Sequence, residues 1–366
     1  LLLKSSMLSI SALKPSRKVD LLSRELFLHP CFIIMQLFAG YWITFKGSAL
    51  RGAHINTVPS TQFLFEFFID LGASFILISA TLLILGRRAL FKVPSRFRLK
   101  LLLCGVFGVN NAQVFFTFGN MYGGPTLTCI GMLLVPMCVF SFGFIMGPEK
   151  PQSIKCIGIA IAFCGATVML WTVSDYSLGE LFLICHALSA AFNVIILRTL
   201  TQGQGALHPL IVSTYSYIIG TCCMLVVAIV SSETIIPFVR SMQTLSEGLD
   251  GLHLMVGSLY LNQIGNALTS VMMAWAASKG AVTMAAMYIS SRPIFTYFIS
   301  LSYEFSNYGF IQNHIYVFII IIVTGFGIAF TGKKIEQVKR KRLAKQAAEK
   351  DFRETNEKQK NYKPLV

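Results

Sequence analysis

Apolar residues run along this chain in ten blocks of lipid-crossing length, nearly head to tail between positions 26 and 332, parted by polar segments too short to hold a domain. The blocks cover 26–45, 61–86, 100–120, 124–146, 154–173, 179–199, 209–231, 252–276, 281–303 and 313–332. About 20 residues carry a helix across a hydrocarbon core of roughly 30 Å, where an open sheet leaves backbone groups unsatisfied. The pattern therefore predicts an all-α membrane protein of ten transmembrane helices. Two cuts rest on short punctuation: Gly123-Gly124-Pro125 at 120–124, and Ser278, Lys279 and Gly280 at 276–281. Merging either pair would make a helix of about 45 residues, longer than tilting accommodates.

Charge fixes an orientation. With the N-terminus in the cytoplasm, all but four of the 31 basic residues fall on one side: those before residue 25, the Arg87 to Lys100 loop, Lys150, Lys155, Arg198, Lys279 and the tail after residue 332. The exceptions are Lys46, Arg51 and Arg240 on the other face and Arg292 inside a helix. The positive-inside rule thus predicts cytoplasmic N- and C-termini. The net charge of +15 then reports topology and contact with anionic lipid, with no nucleic-acid partner implied. Composition agrees, at 54% hydrophobic and 13% charged residues; soluble domains carry about 25% charge. The nine cysteines lie in or beside apolar spans without a Cys-x-x-Cys pair, so they read as small packing residues. No metal or other cofactor is expected. Residues 1–25 form a cytoplasmic lead-in whose composition equally fits the end of a targeting peptide, and 333–366 a basic cytoplasmic tail.

A repeat emerges when the spans are split five and five. Pro136 near the middle of the fourth and Glu149 just past its end match Pro293 and Glu304 of the ninth, at offsets of 157 and 155 residues. Lys46 and Arg198 end the first and sixth spans, and the fifth and tenth carry late glycines, Gly165 against Gly325 and Gly327. Five being odd, the second unit (174–332) enters the bilayer inverted relative to the first (26–173). Inverted repeats let two halves exchange conformations around one central site. Pro136 and Pro293 are accordingly hinge or gating candidates, freeing backbone groups at mid-bilayer. A plain structural kink is the alternative for either alone.

These residues resemble the EamA-type repeat of the drug/metabolite transporter superfamily. The likeness covers about residues 29–333 and is greatest to the plant nodulin-like, walls-are-thin branch. It rests on His29-Pro30, Gln36, Lys46-Gly47-Ser48-Ala49-Leu50, Gly179-Glu180-Leu181-Phe182-Leu183, Gly280 and Gly332-Lys333, beside the two Pro/Glu/Gly sets. The resemblance implies two inverted five-helix repeats, with helices 1–4 and 6–9 around a solute path and helices 5 and 10 peripheral. It also implies secondary transport of small metabolites, often driven by protons or exchange. Three departures concern the solute: a longer outer segment between Glu304 and Gly325, acids in the second span where the branch usually has a basic residue, and Arg292 in the ninth.

Three formal charges lie well inside the spans: Glu66, Asp70 and Arg292. Each costs about 2.5–3.5 kcal/mol when central and unpaired, so such residues usually face a polar interior. Glu66 and Asp70, four apart, share a helix face, with Asp70 about 12 Å deep. One reading makes Arg292 the carboxylate or phosphate ligand, with Asp70 or Glu66 its counter-ion or the coupling proton carrier. The other is a static ion pair. Asn110, Asn111, Gln113, Asn193, Gln263, Asn266 and Tyr288 extend the binding set, and His186 is a second proton-carrying candidate. For any single one of these, interhelical glue is the competing account. Tyr41, Trp42 and Trp275 near span ends are gate candidates. Gly143 and Gly147 at small-xxx-small spacing offer a homodimer contact.

The expected function is therefore secondary-active transport of a small carboxylate-bearing, amino-acid-like solute. An organic-phosphate or nucleotide-sugar exchanger is the runner-up, short of a second central basic residue. A non-transporting receptor or sensor is the rival from another class; the rhodopsin-like form of it wants seven helices and an outside N-terminus. No enzyme is expected, because the spans carry no Gly-x-Gly-Asp, His-Glu-x-x-His or Ser/His arrangement.

Overall fold

The computed structural model describes residues 59–132, 134–146, 153–173, 178–203, 205–231 and 249–278, with a few positions between 320 and 346. The expected spans 26–45 and 281–303 lie outside the described residues, as does most of 313–332. All regular elements among the described residues are helical: α1 (Pro59–Ile84), α2 (Arg87–Phe91), a 3-10 turn (Ser95–Phe97), α3 (Arg98–Gly105), a π-helical stretch (Val106–Asn111), α4 (Ala112–Gly131), α5 (Leu134–Ile145), α6 (Ser153–Val173), α7 (Leu178–Thr201), α8 (Pro209–Ser231) and α9 (Leu249–Ser278). Among the described residues, four stretches are long and apolar enough to cross a membrane: Gln62–Ile84, Ser95–Gly123, Leu178–Thr201 and Pro209–Ser231.

Local chemistry sets the ends. Pro59 and Pro209 open α1 and α8, where a missing N–H costs nothing. The His208 Nδ1 accepts the Leu210 N–H at 3.2 Å, capping α8. Past α1 and α7 the chain turns through Gly86 (φ 78°) and Gly203 (φ 97°), left-handed positions that suit glycine.

The third and fourth spans depart from uniform helices in two places. The element Ala112–Gly131 is not straight. Thr128 Oγ1 donates to Asn120 Oδ1 at 3.4 Å, although eight residues of straight helix rise about 12 Å. A methyl added to Gly119 would lie 2.6 Å from Leu183 Cδ2, and one on Gly131 would lie 2.8 Å from Leu183 Cβ. One leucine touching both ends of a twelve-residue stretch requires the chain to fold back between them, where Gly123-Gly124-Pro125 stands. The second departure is a break in the helix at Met132, inside the block expected as one span over 124–146. Pro136 has no N–H to offer the Met132 carbonyl one turn back, and Val135 N–H takes that acceptor at 3.3 Å.

Packing in the first compact unit (Leu1–Gly143 with Leu170–Gly309) is dominated by two helix pairs. α1 and α8 run antiparallel, joined by Ser74 Oγ with Thr221 Oγ1 at 2.9 Å and Thr81 Oγ1 with Thr214 Oγ1 at 2.7 Å. The seven-residue spacing on both helices keeps one seam in register over two turns. The third span approaches α8 closely as well: a methyl on Gly105 would meet Ile219 and the Ser216 carbonyl, and one on Gly220 would meet Val109. Leu77, Val109, Leu210 and Tyr217 fill the core beside this crossing. The other pair, α4 with α7, packs through Gly119, Gly131 and Leu183.

Contacts between loops sort the ends of the helices. Arg96 Nη2 donates to the Gly205 carbonyl at 3.5 Å and Gln202 Nε2 to the Ala277 carbonyl at 2.7 Å. The segments after α1, α7 and α9 therefore share one end. At the other, Gly179 lies against the backbone of Tyr122 and Gly123. Arg87, Arg88, Lys92, Arg96, Arg98 and Lys100 all belong to the segment at the first end.

The second compact unit joins Phe144–Met169 to Phe310–Val366, the regions of the fifth and tenth expected spans. Within it a methyl on Gly325 would come 2.6 Å from both the Ala162 amide nitrogen and the Gly158 carbonyl, so a glycine is what lets the two segments touch.

Candidate functional site

Gln62, Glu66, Asp70 and Ser74 recur every fourth residue on α1, with Thr81 beyond, and all five are buried. Residues four apart share a helix face, so this is a polar stripe along a helix that is otherwise apolar. Its Ser74–Thr81 end is closed by the hydroxyl pairs to α8. Its other end holds both acids.

Asp70, 0% exposed, accepts a hydrogen bond at Oδ1 from Gln113 Nε2 at 2.9 Å. A carboxylate only accepts, so Gln113 must turn its amide nitrogen toward Asp70 and its oxygen away. That oxygen is buried with no hydrogen-bond partner among the described residues, as are Asn110 Oδ1 and Thr117 Oγ1. Asn110, Gln113 and Thr117 stand at i, i+3 and i+7, one face of the third span. Asn110 Nδ2 donates to Asn111 Oδ1 at 3.1 Å.

The π-helical stretch sits at the start of this face. A π-turn displaces carbonyls from the i→i−4 pattern, and α7 donates to one carbonyl within this stretch and one just past it. Ser189 Oγ donates to the Phe107 carbonyl at 2.8 Å, and His186 Nδ1 lies 2.7 Å from the Ala112 carbonyl. A carbonyl cannot donate, so this His186 nitrogen carries a proton and any further proton is gained at Nε2. Asn193, one turn past Ser189, accepts from Cys104 Sγ at 2.9 Å and lies where a side chain on Gly108 would stand. Its amide oxygen thus ties α3 to α7.

Gln263 of α9 donates from Nε2 to the Phe68 carbonyl at 3.3 Å and packs on Gly72, facing α1 one turn from Asp70. Asn266 enters through its backbone carbonyl, which accepts from the Tyr217 hydroxyl at 3.4 Å. The structure thus brings Glu66, Asp70, Asn110, Gln113 and Gln263 around α1 and the third span, and sets His186 and Asn193 behind the π-helical stretch. Pro136 is buried at the break in the fourth span, and Gly143 is buried within the chain. Arg292, Tyr288, Pro293, Tyr41, Trp42 and Gly147 lie outside the described residues.

Sequence reasoning missed three features. Gln62 and Thr117 belong to the polar faces, legible only by the four- and seven-residue spacing to Glu66 and Asn110. The π-helical stretch left no sequence mark. An aromatic cluster was also unforeseen: Phe118 stacks on Phe182 at 4.9 Å, Tyr122 on Phe182 at 5.8 Å, and Phe63 meets Phe118 edge-on at 5.1 Å. These rings lie between the acids and the end marked by Gly123 and Gly179. Trp275 is at the opposite end, its carbonyl accepting from Ser278 Oγ at 2.6 Å.

No protein-family model matches the chain. A WAT1-related protein of Arabidopsis thaliana is 23% identical over 231 residues, covering 56% of this chain and 67% of that protein. An uncharacterized transporter of Archaeoglobus fulgidus is 27% identical over 144 residues, 39% of this chain and 49% of the archaeal one, so the match spans about half of that relative. A solved crystal structure superposes with a TM-score of 0.57 at 16% identity, covering 82% of this chain and 98% of its own, a likeness of fold alone.

Proposed function

We propose that this chain, an integral multi-pass membrane protein whose relatives support the drug/metabolite transporter family in its plant nodulin-like form, is a secondary-active carrier of small amino-acid-like or other carboxylate-bearing metabolites. Alternating access would use the two inverted five-helix repeats, with Pro136 and Pro293 as matched hinges and both termini in the cytoplasm. The observation that supports this reading most is Asp70. A carboxylate fully buried among lipid-length helices, bonded to Gln113 and followed by a face of amide oxygens, is costly unless it serves a polar path.

Roles follow from chemistry. Arg292 would take the solute carboxylate, its planar guanidinium matching two oxygens at once. Asp70 and Glu66 would balance Arg292 when the site is empty, and either acid or His186 would carry a coupling proton. The acids and amide oxygens around Asp70 repel a polyanion, which sets the organic-phosphate exchanger second.

The test is uptake into proteoliposomes of radiolabelled amino acids, organic acids and sugar phosphates, with and without an inward proton gradient, for the wild type and Arg292→Gln. Accumulation of a carboxylate solute that Arg292→Gln abolishes, in a protein that still unfolds at the wild-type temperature, carries the proposal. Uptake confined to sugar phosphates moves it to the exchanger, and binding without uptake of any solute makes the chain a sensor.

A further inference from the structure

Not every polar atom near the Gln113–Asp70 bond is satisfied. Gln113 spends one N–H on the carboxylate and Asn110 one on Asn111. The atoms on the face that have no partner at all among the described residues are oxygens: Gln113 Oε1, Asn110 Oδ1 and the Thr117 hydroxyl. Asn110 and Thr117 are 7% and 1% exposed, so water from the surface does not reach them freely. Buried polar atoms without partners are uncommon and costly, and a row of them on one helix face beside a carboxylate asks for a ligand rich in N–H donors and positive in charge.

We propose that Asn110, Gln113 and Thr117, backed by Asp70, form a subsite for the ammonium group of the solute. The inference rests on the transporter reading and names the second end of its cargo. A primary ammonium has three N–H donors on one atom and no acceptor, the complement of a carboxylate flanked by amide oxygens. A carboxylic acid, a sugar hydroxyl or a phosphate does not supply both the charge and the donors. With Arg292 assigned to a carboxylate, the two ends together describe a zwitterion.

The orientation of Gln113 gives the subsite its polarity. While Asp70 is ionised, the amide cannot flip without setting oxygen against oxygen, so Oε1 is held away from Asp70. The π-helical stretch acts on the same face. It holds Asn110 in a widened turn kept open by Ser189 and His186 of α7, so movement of the sixth span bears directly on the ammonium ligands.

The experiment compares three salts at equal ionic strength on detergent-purified full-length protein by thermal unfolding: methylammonium chloride, tetramethylammonium chloride and sodium acetate. Tetramethylammonium has the charge without N–H donors. Methylammonium alone should raise Tm, by about 2–4 °C near saturation, and Gln113→Leu and Thr117→Val should each remove most of that rise. No rise with methylammonium, an equal rise with tetramethylammonium, or a rise undiminished in both variants overturns the subsite. The wild-type series decides even where a variant fails to fold. Uptake of a carboxylate solute without a methylammonium response sinks the subsite and spares the transporter. A methylammonium response lost in the variants, in a protein that takes up no solute, upholds the subsite and sinks transport.

Discussion

Gln113 Nε2 donates to Asp70 Oδ1 at 2.9 Å, joining the second and third spans of a lipid-length bundle through one charge-assisted hydrogen bond. Bonds of this kind are about twice as strong as neutral ones. This one also sets which atoms of the Gln113 amide remain for a solute.

Asp70→Asn keeps an oxygen for Gln113 and should leave Tm within about 2 °C of wild type, while uptake falls at least about tenfold because the charge is gone. Asp70→Leu strands the Gln113 N–H and should destabilise by about 1–3 kcal/mol. Unfolding curves and initial uptake rates on the same preparations check both. Wild-type uptake by Asp70→Asn would remove the acid from the mechanism.

The reversal near Gly123 is open to a covalent test. With cysteines at positions 120 and 128, as Asn120→Cys and Thr128→Cys, mild oxidation should close an intrachain disulfide, since such a bond needs Cα atoms about 4.4–6.8 Å apart. A straight helix would hold them roughly 12 Å apart. Peptide mass spectrometry reads the cross-link, and its absence sinks the hairpin.

Two glycines should answer oppositely to the same methyl. Gly325→Ala meets the backbone at Gly158 and Ala162 and should cost about 1–3 kcal/mol, the range for overpacking. Gly265→Ala, in the interior of α9, meets nothing within 4 Å and should be neutral or stabilising by up to about 1 kcal/mol. Thermal or denaturant unfolding distinguishes them.

The hydroxyl pairs sealing the polar stripe should couple weakly. A double-mutant cycle of Ser74→Ala with Thr221→Val should give an interaction of about 0.6 kcal/mol, the average for interhelical hydrogen bonds in a bilayer. Zero coupling would mean that apolar packing, not the hydroxyl pairs, sets the α1–α8 seam.

Within the described residues the apolar blocks located the helices, because each crossing must bury about 20 residues in hydrocarbon and satisfy its own backbone, whatever its neighbours do. The acids of the second span and the amides of the third were legible for the same reason: a charge in a lipid-length segment stands out against its surroundings. The pairing was not. Asp70 chooses Gln113 rather than Asn111 by helix rotation, which depends on Gly105, Gly108 and Gly220 letting neighbouring helices approach, and glycine carries no hydropathy signal. The π-helical stretch escaped notice likewise, since its cost is met by Ser189 and His186 from another helix. The aromatic cluster did too, since a phenylalanine facing lipid and one stacked on Phe182 look alike along the chain. Composition and spacing determined what crosses the membrane and which residues resist crossing it. Only the tertiary structure decided which of those residues meet, because helix rotation and separation are set by contacts between segments far apart in the sequence.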